Sequence, residues 1–235
     1  MHTTFGKRFV SILDNHEITA GPFDPAISKA VSFHFFGKPS YRPKLDDSYS
    51  RTIESSLFCV LLDFDTLPDP SSILPFDSGG YASRFQATCG GIDLGEFFMP
   101  TTKDIPRQLI SAFFGSNSSY WSMKLRDGVS EEIKPFDLHS TSLVRLCTLP
   151  GPVPFDQRAF SIELHYEMPL NLRQLNVLAI AAPDTACEDT ELIDFSALLN
   201  AELIPYPLEL ETSAAQQRQL RDAIFDWLTV KDYFK

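Results

Sequence analysis

The sequence predicts an α+β fold in a single domain, a split and mostly antiparallel β-sheet with short flanking helices. Three observations carry that expectation. Apolar runs of strand length recur along 235 residues. Seventeen Pro and eleven Gly are scattered rather than clustered, which suits many short strands and turns. Twenty Phe in a chain that is 43% hydrophobic and 22% charged point to a core with substantial aromatic packing. No repeat, low-complexity tract or linker forces a boundary, so one domain over residues 1–235 is the simplest organisation.

The elements follow in order. His2-Thr3-Thr4 opens a short strand, and residues 7–15 place Phe9, Ile12 and Leu13 at helical spacing. Pro22 and Pro25 bracket a turn before a strand over 31–36, which Gly37 and Pro39 end. Residues 57–64 are apolar but for Asp63, the pattern of a central strand. Residues 69–72 read as a loop, and Pro75-Phe76-Asp77-Ser78-Gly79-Gly80-Tyr81 as a tighter one. A short helix is expected over 105–114 with Pro106 in its first turn. Three further strands are expected over 142–149, 159–166 and 175–181, then an acidic loop over 182–191. The strongest helical pattern is 214–228, where Leu220, Ile224, Trp227 and Leu228 mark one apolar face.

The formal net charge is −11, from 20 basic and 31 acidic residues. An acidic surface repels phosphate backbones, which argues against broad nucleic-acid binding. The charge is uneven: Lys29, Lys38, Arg42, Lys44 and Arg51 face only Asp46 and Asp47, whereas residues 184–211 carry acids and no Lys or Arg. An anionic ligand should prefer the N-terminal segment. Cys59, Cys89, Cys147 and Cys187 lie far apart without CxxC spacing, as expected of core thiols in a reducing compartment. No run approaches the roughly 18 apolar residues of a membrane span, and no signal-peptide pattern is present. The expectation is a cytoplasmic protein without a membrane partner.

GxSxG, GxxxxGK[ST], GxGxxG and HExxH are all missing, which removes those hydrolase, nucleotidase, dinucleotide-fold and zinc signatures. What remains is a set of four segments. The first is His2-Thr3 followed by Ser11-Ile12-Leu13-Asp14-Asn15. The second is Phe33-His34-Phe35-Phe36-Gly37-Lys38-Pro39-Ser40-Tyr41-Arg42. The third is Phe160-Ser161-Ile162-Glu163-Leu164-His165, whose strict alternation puts Glu163 on a polar strand face with Ser161, His165 and Glu167. The fourth is the Asp77-Ser78-Gly79-Gly80 turn, whose backbone amides can approach a ligand closely. Each also has a plainer account: a solvated terminal His, a Gly-Pro turn with solvated bases, an edge-strand Glu, an ordinary turn.

Taken together, these segments resemble the ADP-ribosyltransferase-like superfamily, of the His-Tyr-Glu type. The resemblance covers about the first 45 residues, the Asp77 loop and the Glu163 strand. It implies NAD as substrate. His2 and Thr3 would meet the ribose and the nicotinamide amide, Tyr41 would stack on the nicotinamide ring, and Arg42 would meet the pyrophosphate. Asp77 would orient the substrate or the Tyr41 loop, and Glu163 would stabilise an oxocarbenium-like transition state. Ser161 stands where arginine-directed transferases carry Glu or Gln, which argues against arginine as acceptor. The reaction implied is ADP-ribosyl transfer or NAD glycohydrolysis, with protein, nucleic acid or water as acceptor. Relatives of this type include bacterial toxins and phage-defence proteins. The alternative is a non-catalytic interaction or nucleotide-sensing protein with a degenerate transferase-like fold.

Overall fold

A computed structural model describes residues 1–40, 49–50, 52–148, 157–209 and 211–234. It is a mixed α/β protein with open sheets, 45% helical and 19% strand. The α+β expectation therefore holds, but helix outweighs strand, contrary to the strand-rich balance that the Pro and Gly content suggested.

In chain order the strands are β1 (His2–Phe5), β2 (Glu17–Ile18), β3 (Ser32–Phe35), β4 (Tyr49–Ser50), β5 (Leu57–Leu62) and β6 (Ser72–Leu74). They continue as β7 (Glu163–Tyr166), β8 (Leu170–Asn171), β9 (Val177–Pro183), β10 (Glu202–Tyr206) and β11 (Glu211–Thr212). The helices are α1 (Gly6–Asn15), α2 (Ser78–Gly80), α3 (Asp104–Phe113), α4 (Asn117–Trp121) and α5 (Val129–Glu132). They continue as α6 (Leu138–Thr148), α7 (Asp184–Cys187), α8 (Thr190–Leu198) and α9 (Ser213–Val230). Within the described residues, one compact unit gathers 1–20, 49–68 and 168–233, and a second gathers 21–40, 69–167 and Phe234.

The first unit is built on a sheet ordered β1-β5-β9-β10. β1 and β9 pair antiparallel with β5, and β10 joins β9 in parallel after the α7–α8 crossover. Strand β5 is buried along its whole length, because strands flank both its edges and helices cover the sheet. Helix α1 buries Phe9 and Ile12, and Phe9 stacks on Phe58 with ring centroids 4.5 Å apart. Gly6 starts α1 in a place with no room for a side chain: a Cβ there would lie 2.0 Å from the Ile53 carbonyl oxygen. Helix α9 buries Leu220, Ile224 and Leu228 as its pattern predicts, while Trp227 is only half-buried and donates to Glu202 Oε2 at 2.8 Å. The Tyr206 hydroxyl donates to the Leu57 carbonyl at 2.7 Å and accepts from the Leu57 amide at 3.1 Å.

The second unit is built on the antiparallel sheet β3-β7-β6. Its register sets Phe35 and Leu74 on either side of Glu163, and Phe33 and Ser72 on either side of His165. Phe113, Phe114, Tyr120 and Phe160 form one aromatic cluster and Phe76, Tyr81 and Phe97 another. Helix α3 stops at Gly115, whose φ of 75° lets its N–H reach back to the Ile110 carbonyl.

Several local expectations are corrected here. Residues 142–148 belong to α6 rather than a strand, with Ser142, Leu143 and Leu146 turned inward at helical spacing. Residues 182–191 are the end of β9 followed by α7 and the start of α8 rather than a loop, with Asp189 accepting from the Glu191 N–H at the head of α8. The stretch 159–166 is strand only from Glu163 onward, after a 3₁₀ turn over Gln157–Phe160. Residues 78–85 wind into α2 and a π-helical turn instead of a plain loop.

Candidate functional site: a buried carboxylate on the central strand

Strand β7 carries the chemistry-bearing side chains of the second unit. The alternation of residues 160–165 predicts a polar strand face, and the plainer account of it is an edge-strand Glu in solvent. Instead all four residues of β7 are buried, because β3 and β6 flank it and aromatic clusters pack nearby. Glu163 is 1% exposed and His165 is 0% exposed. Burying a carboxylate costs several kcal/mol unless hydrogen bonds and partners compensate, and here they do. The Glu163 Oε1 lies 2.6 Å from His165 Nε2, and the Ser78 N–H donates to Glu163 Oε2 at 3.2 Å. On the other side of the imidazole, His165 Nδ1 lies 2.6 Å from Ser72 Oγ. A carboxylate offers no proton to the imidazole, so Nε2 carries the ring hydrogen; in the neutral ring Nδ1 then accepts from the Ser72 hydroxyl.

Asp77 stands one residue before Ser78 and caps α2, its Oδ1 accepting from the Gly80 N–H. It also lies 4.0 Å from Arg158 Nη1, both side chains being largely buried. Gly80 is needed at this cap: a Cβ there would come within 2.7 Å of Phe85 and 3.1 Å of Asp77 Oδ1. Tyr81 follows, stacked on Phe76 with its hydroxyl donated to the Ile92 carbonyl. Burial pushes the Tyr81 phenol up to about 12. Buried just after β3, Lys38 places its ammonium 4.3 Å from the Tyr120 ring centroid and donates to the Tyr120 carbonyl at 3.3 Å. The Ser40 hydroxyl and the Tyr166 hydroxyl are buried without a hydrogen-bond partner among the described residues, and burial raises the Tyr166 phenol well above its ordinary value.

The sequence-predicted site residues fall out as follows. Glu163 and Asp77 come together in the second unit, joined through Ser78. The strand that leads toward Tyr41, β3, pairs directly with the Glu163 strand. Tyr41 and Arg42 themselves lie outside the described residues. His2 and Thr3 belong to the first unit, on β1. The Thr3 hydroxyl is buried and donates to Cys59 Sγ at 3.4 Å across the β1–β5 pair. Sequence reasoning missed Ser72, which it placed in a loop; it sits on β6 directly opposite His165. Among the described residues no cluster of three His, Cys, Asp or Glu side chains could hold a metal ion, and no helix is long and apolar enough to cross a membrane.

Fold and site together define a mixed α/β protein whose second unit holds a sealed Ser-His-Glu hydrogen-bond chain against the N-terminus of a short helix. Compared with known proteins, the chain matches no family model, no curated protein and no solved structure.

Proposed function

We propose that the protein acts on NAD, transferring its ADP-ribosyl group to an acceptor or to water. The observation that supports this reading best is the meeting of two separated segments at the Glu163 carboxylate. The Asp77-Ser78 turn delivers a backbone N–H, and β7 delivers the carboxylate. An enzyme that expels nicotinamide needs a fixed negative charge beside a sugar carbon that turns cationic. A carboxylate held between an imidazole and a backbone amide is already oriented, so little reorganisation accompanies the reaction. Ser40, the residue before Tyr41, adds a buried hydroxyl with no hydrogen-bond partner among the described residues, a group able to bond a ligand's amide or ribose. In this reading Tyr41 stacks on nicotinamide and Arg42 meets the pyrophosphate as a bidentate fork.

A second reading, a non-catalytic interaction or nucleotide-sensing protein, is favoured by one observation: Glu163 and His165 are sealed from solvent. A closed and satisfied polar network serves equally well to fix the register of a three-stranded sheet. The deciding experiment is nicotinamide release from NAD by the purified protein beside Glu163→Gln, with NAD binding measured in parallel. Release that vanishes in the variant while binding persists supports transfer or hydrolysis. Binding without release in the wild type supports a sensor, and neither binding nor release leaves the interaction protein.

A further inference from the structure

We propose that Ser72 and His165 form a positioning relay for Glu163, in which the serine hydroxyl sets the imidazole and the imidazole sets the carboxylate. The inference rests on the NAD reading and gives these two residues a role in it that the sequence did not reveal. The geometry follows from sheet register. Residues directly opposite on antiparallel strands bring their Cβ atoms within about 5 Å, so Ser72, opposite His165, reaches the near nitrogen of the ring. Residues two apart on a strand point to the same face, so Glu163 meets the far nitrogen. One imidazole therefore spans from β6 to the Glu163 carboxylate with both nitrogens engaged at 2.6 Å.

The ring is held from other directions too. The edge of Phe33 and the His165 ring meet in a T-shape, with centroids 5.2 Å apart and planes at 84°. The His165 carbonyl accepts from both the Ser71 amide at 2.8 Å and the Ser71 hydroxyl at 2.9 Å. Consecutive serines thus hold the backbone and the side chain of one histidine. Of the relay members Ser72 is the most exposed, at 8%, against 0% for His165 and 1% for Glu163. Truncating it disturbs packing least, which makes it the place to test the relay. With Ser72 present, Nδ1 is engaged as an acceptor and Nε2–H points at Glu163. Without it, Nδ1 loses its partner and the ring is fixed by hydrogen bonding at Nε2 alone, so its orientation against the carboxylate is set less tightly.

The test compares wild type, Ser72→Ala and Ser72→Thr in steady-state nicotinamide release, with the hydrogen bonding of the His165 ring nitrogens read by nitrogen-15 NMR. Removing an outer partner of a functional group typically lowers turnover about 10- to 100-fold. The expected result is a kcat fall of that size in Ser72→Ala with KM unchanged and recovery of most of it in Ser72→Thr. In the NMR spectrum both proteins keep Nε2–H toward the carboxylate, and in Ser72→Ala the Nδ1 resonance moves to that of a ring nitrogen that accepts no hydrogen bond. A wild type that releases nicotinamide in a Glu163-dependent way, with Ser72→Ala equal to it in kcat, overturns the relay and leaves the NAD reading intact. A rise in KM alone also overturns it, since that marks a packing or binding role. A wild type that neither binds nor cleaves NAD overturns both.

Discussion

Replacing Tyr120 by Phe removes one oxygen atom and tests how the Glu163 strand is anchored. The Tyr120 hydroxyl donates to the Phe36 carbonyl at 2.9 Å and accepts from the Ile162 N–H at 3.0 Å. It thereby ties the end of β3 to the residue that leads into β7. Ile162 is fully buried, so in Tyr120→Phe its amide faces no water. Leaving a buried donor unmet costs about 1–3 kcal/mol and the lost donation to Phe36 about 1 kcal/mol more, roughly 2–4 kcal/mol together. The phenyl ring stays, and with it the face beneath the Lys38 ammonium, so the loss isolates the hydroxyl. For a chain of this length each kcal/mol moves the melting temperature by about 2–4 °C, which predicts a drop of roughly 4–16 °C. Calorimetry reads the drop, and amide hydrogen exchange should show Ile162 losing protection. A shift below about 2 °C with unchanged exchange at Ile162 refutes the reasoning, because it would mean that the hydroxyl anchors nothing.

Three further outcomes follow. Gly6→Ala puts a methyl group where the Ile53 carbonyl stands 2.0 Å away, and should destabilise the protein by about 1–3 kcal/mol in a denaturant titration, as overpacking does. Burial raises the thiols of Cys89 and Cys187 from an ordinary 9.0 to about 11 and that of Cys147 to about 12. An acid whose folded-state pKa is raised stabilises the fold while protonated, so that contribution is complete below pH 9 and is lost as pH climbs through 11. Melting temperature should therefore fall across that window, and alkylation of these thiols at neutral pH should be slow compared with a free thiol.

How much of this was legible in the sequence depends on whether an element is defined locally. Helices α1, α3 and α9 and the long apolar strand β5 declare themselves by period, and the structure places them as expected. Helix α6 does not, because Ser142 to Thr148 mixes β-branched and polar residues whose helix propensities differ by only tenths of a kcal/mol. A start signal was present, since Asp137 accepts from the Ser140 N–H one turn into that helix. Asp189 gives the same signal ahead of α8. Glu163 was legible as a strand carboxylate, but its burial was not: alternation reports two faces and is silent on what covers them. Ser72 lay beyond reach for another reason. A three-residue strand amid Ser and Pro gains its identity from pairing with a partner more than 90 residues away, and no local pattern encodes that.

The tyrosines that hold this fold have a consequence for how it can be watched. Burial keeps the phenols of Tyr120, Tyr166 and Tyr206 far above their ordinary 10.0. Such a phenol resists ionisation while the unit around it stays closed, so in an alkaline titration its phenolate absorbance should appear in step with unfolding and serve as an optical clock. Tyr206 belongs to the first unit and Tyr120 and Tyr166 to the second. Comparing Tyr206→Phe with Tyr166→Phe would assign each part of the signal to its unit and show, from intrinsic chromophores alone, which one yields first.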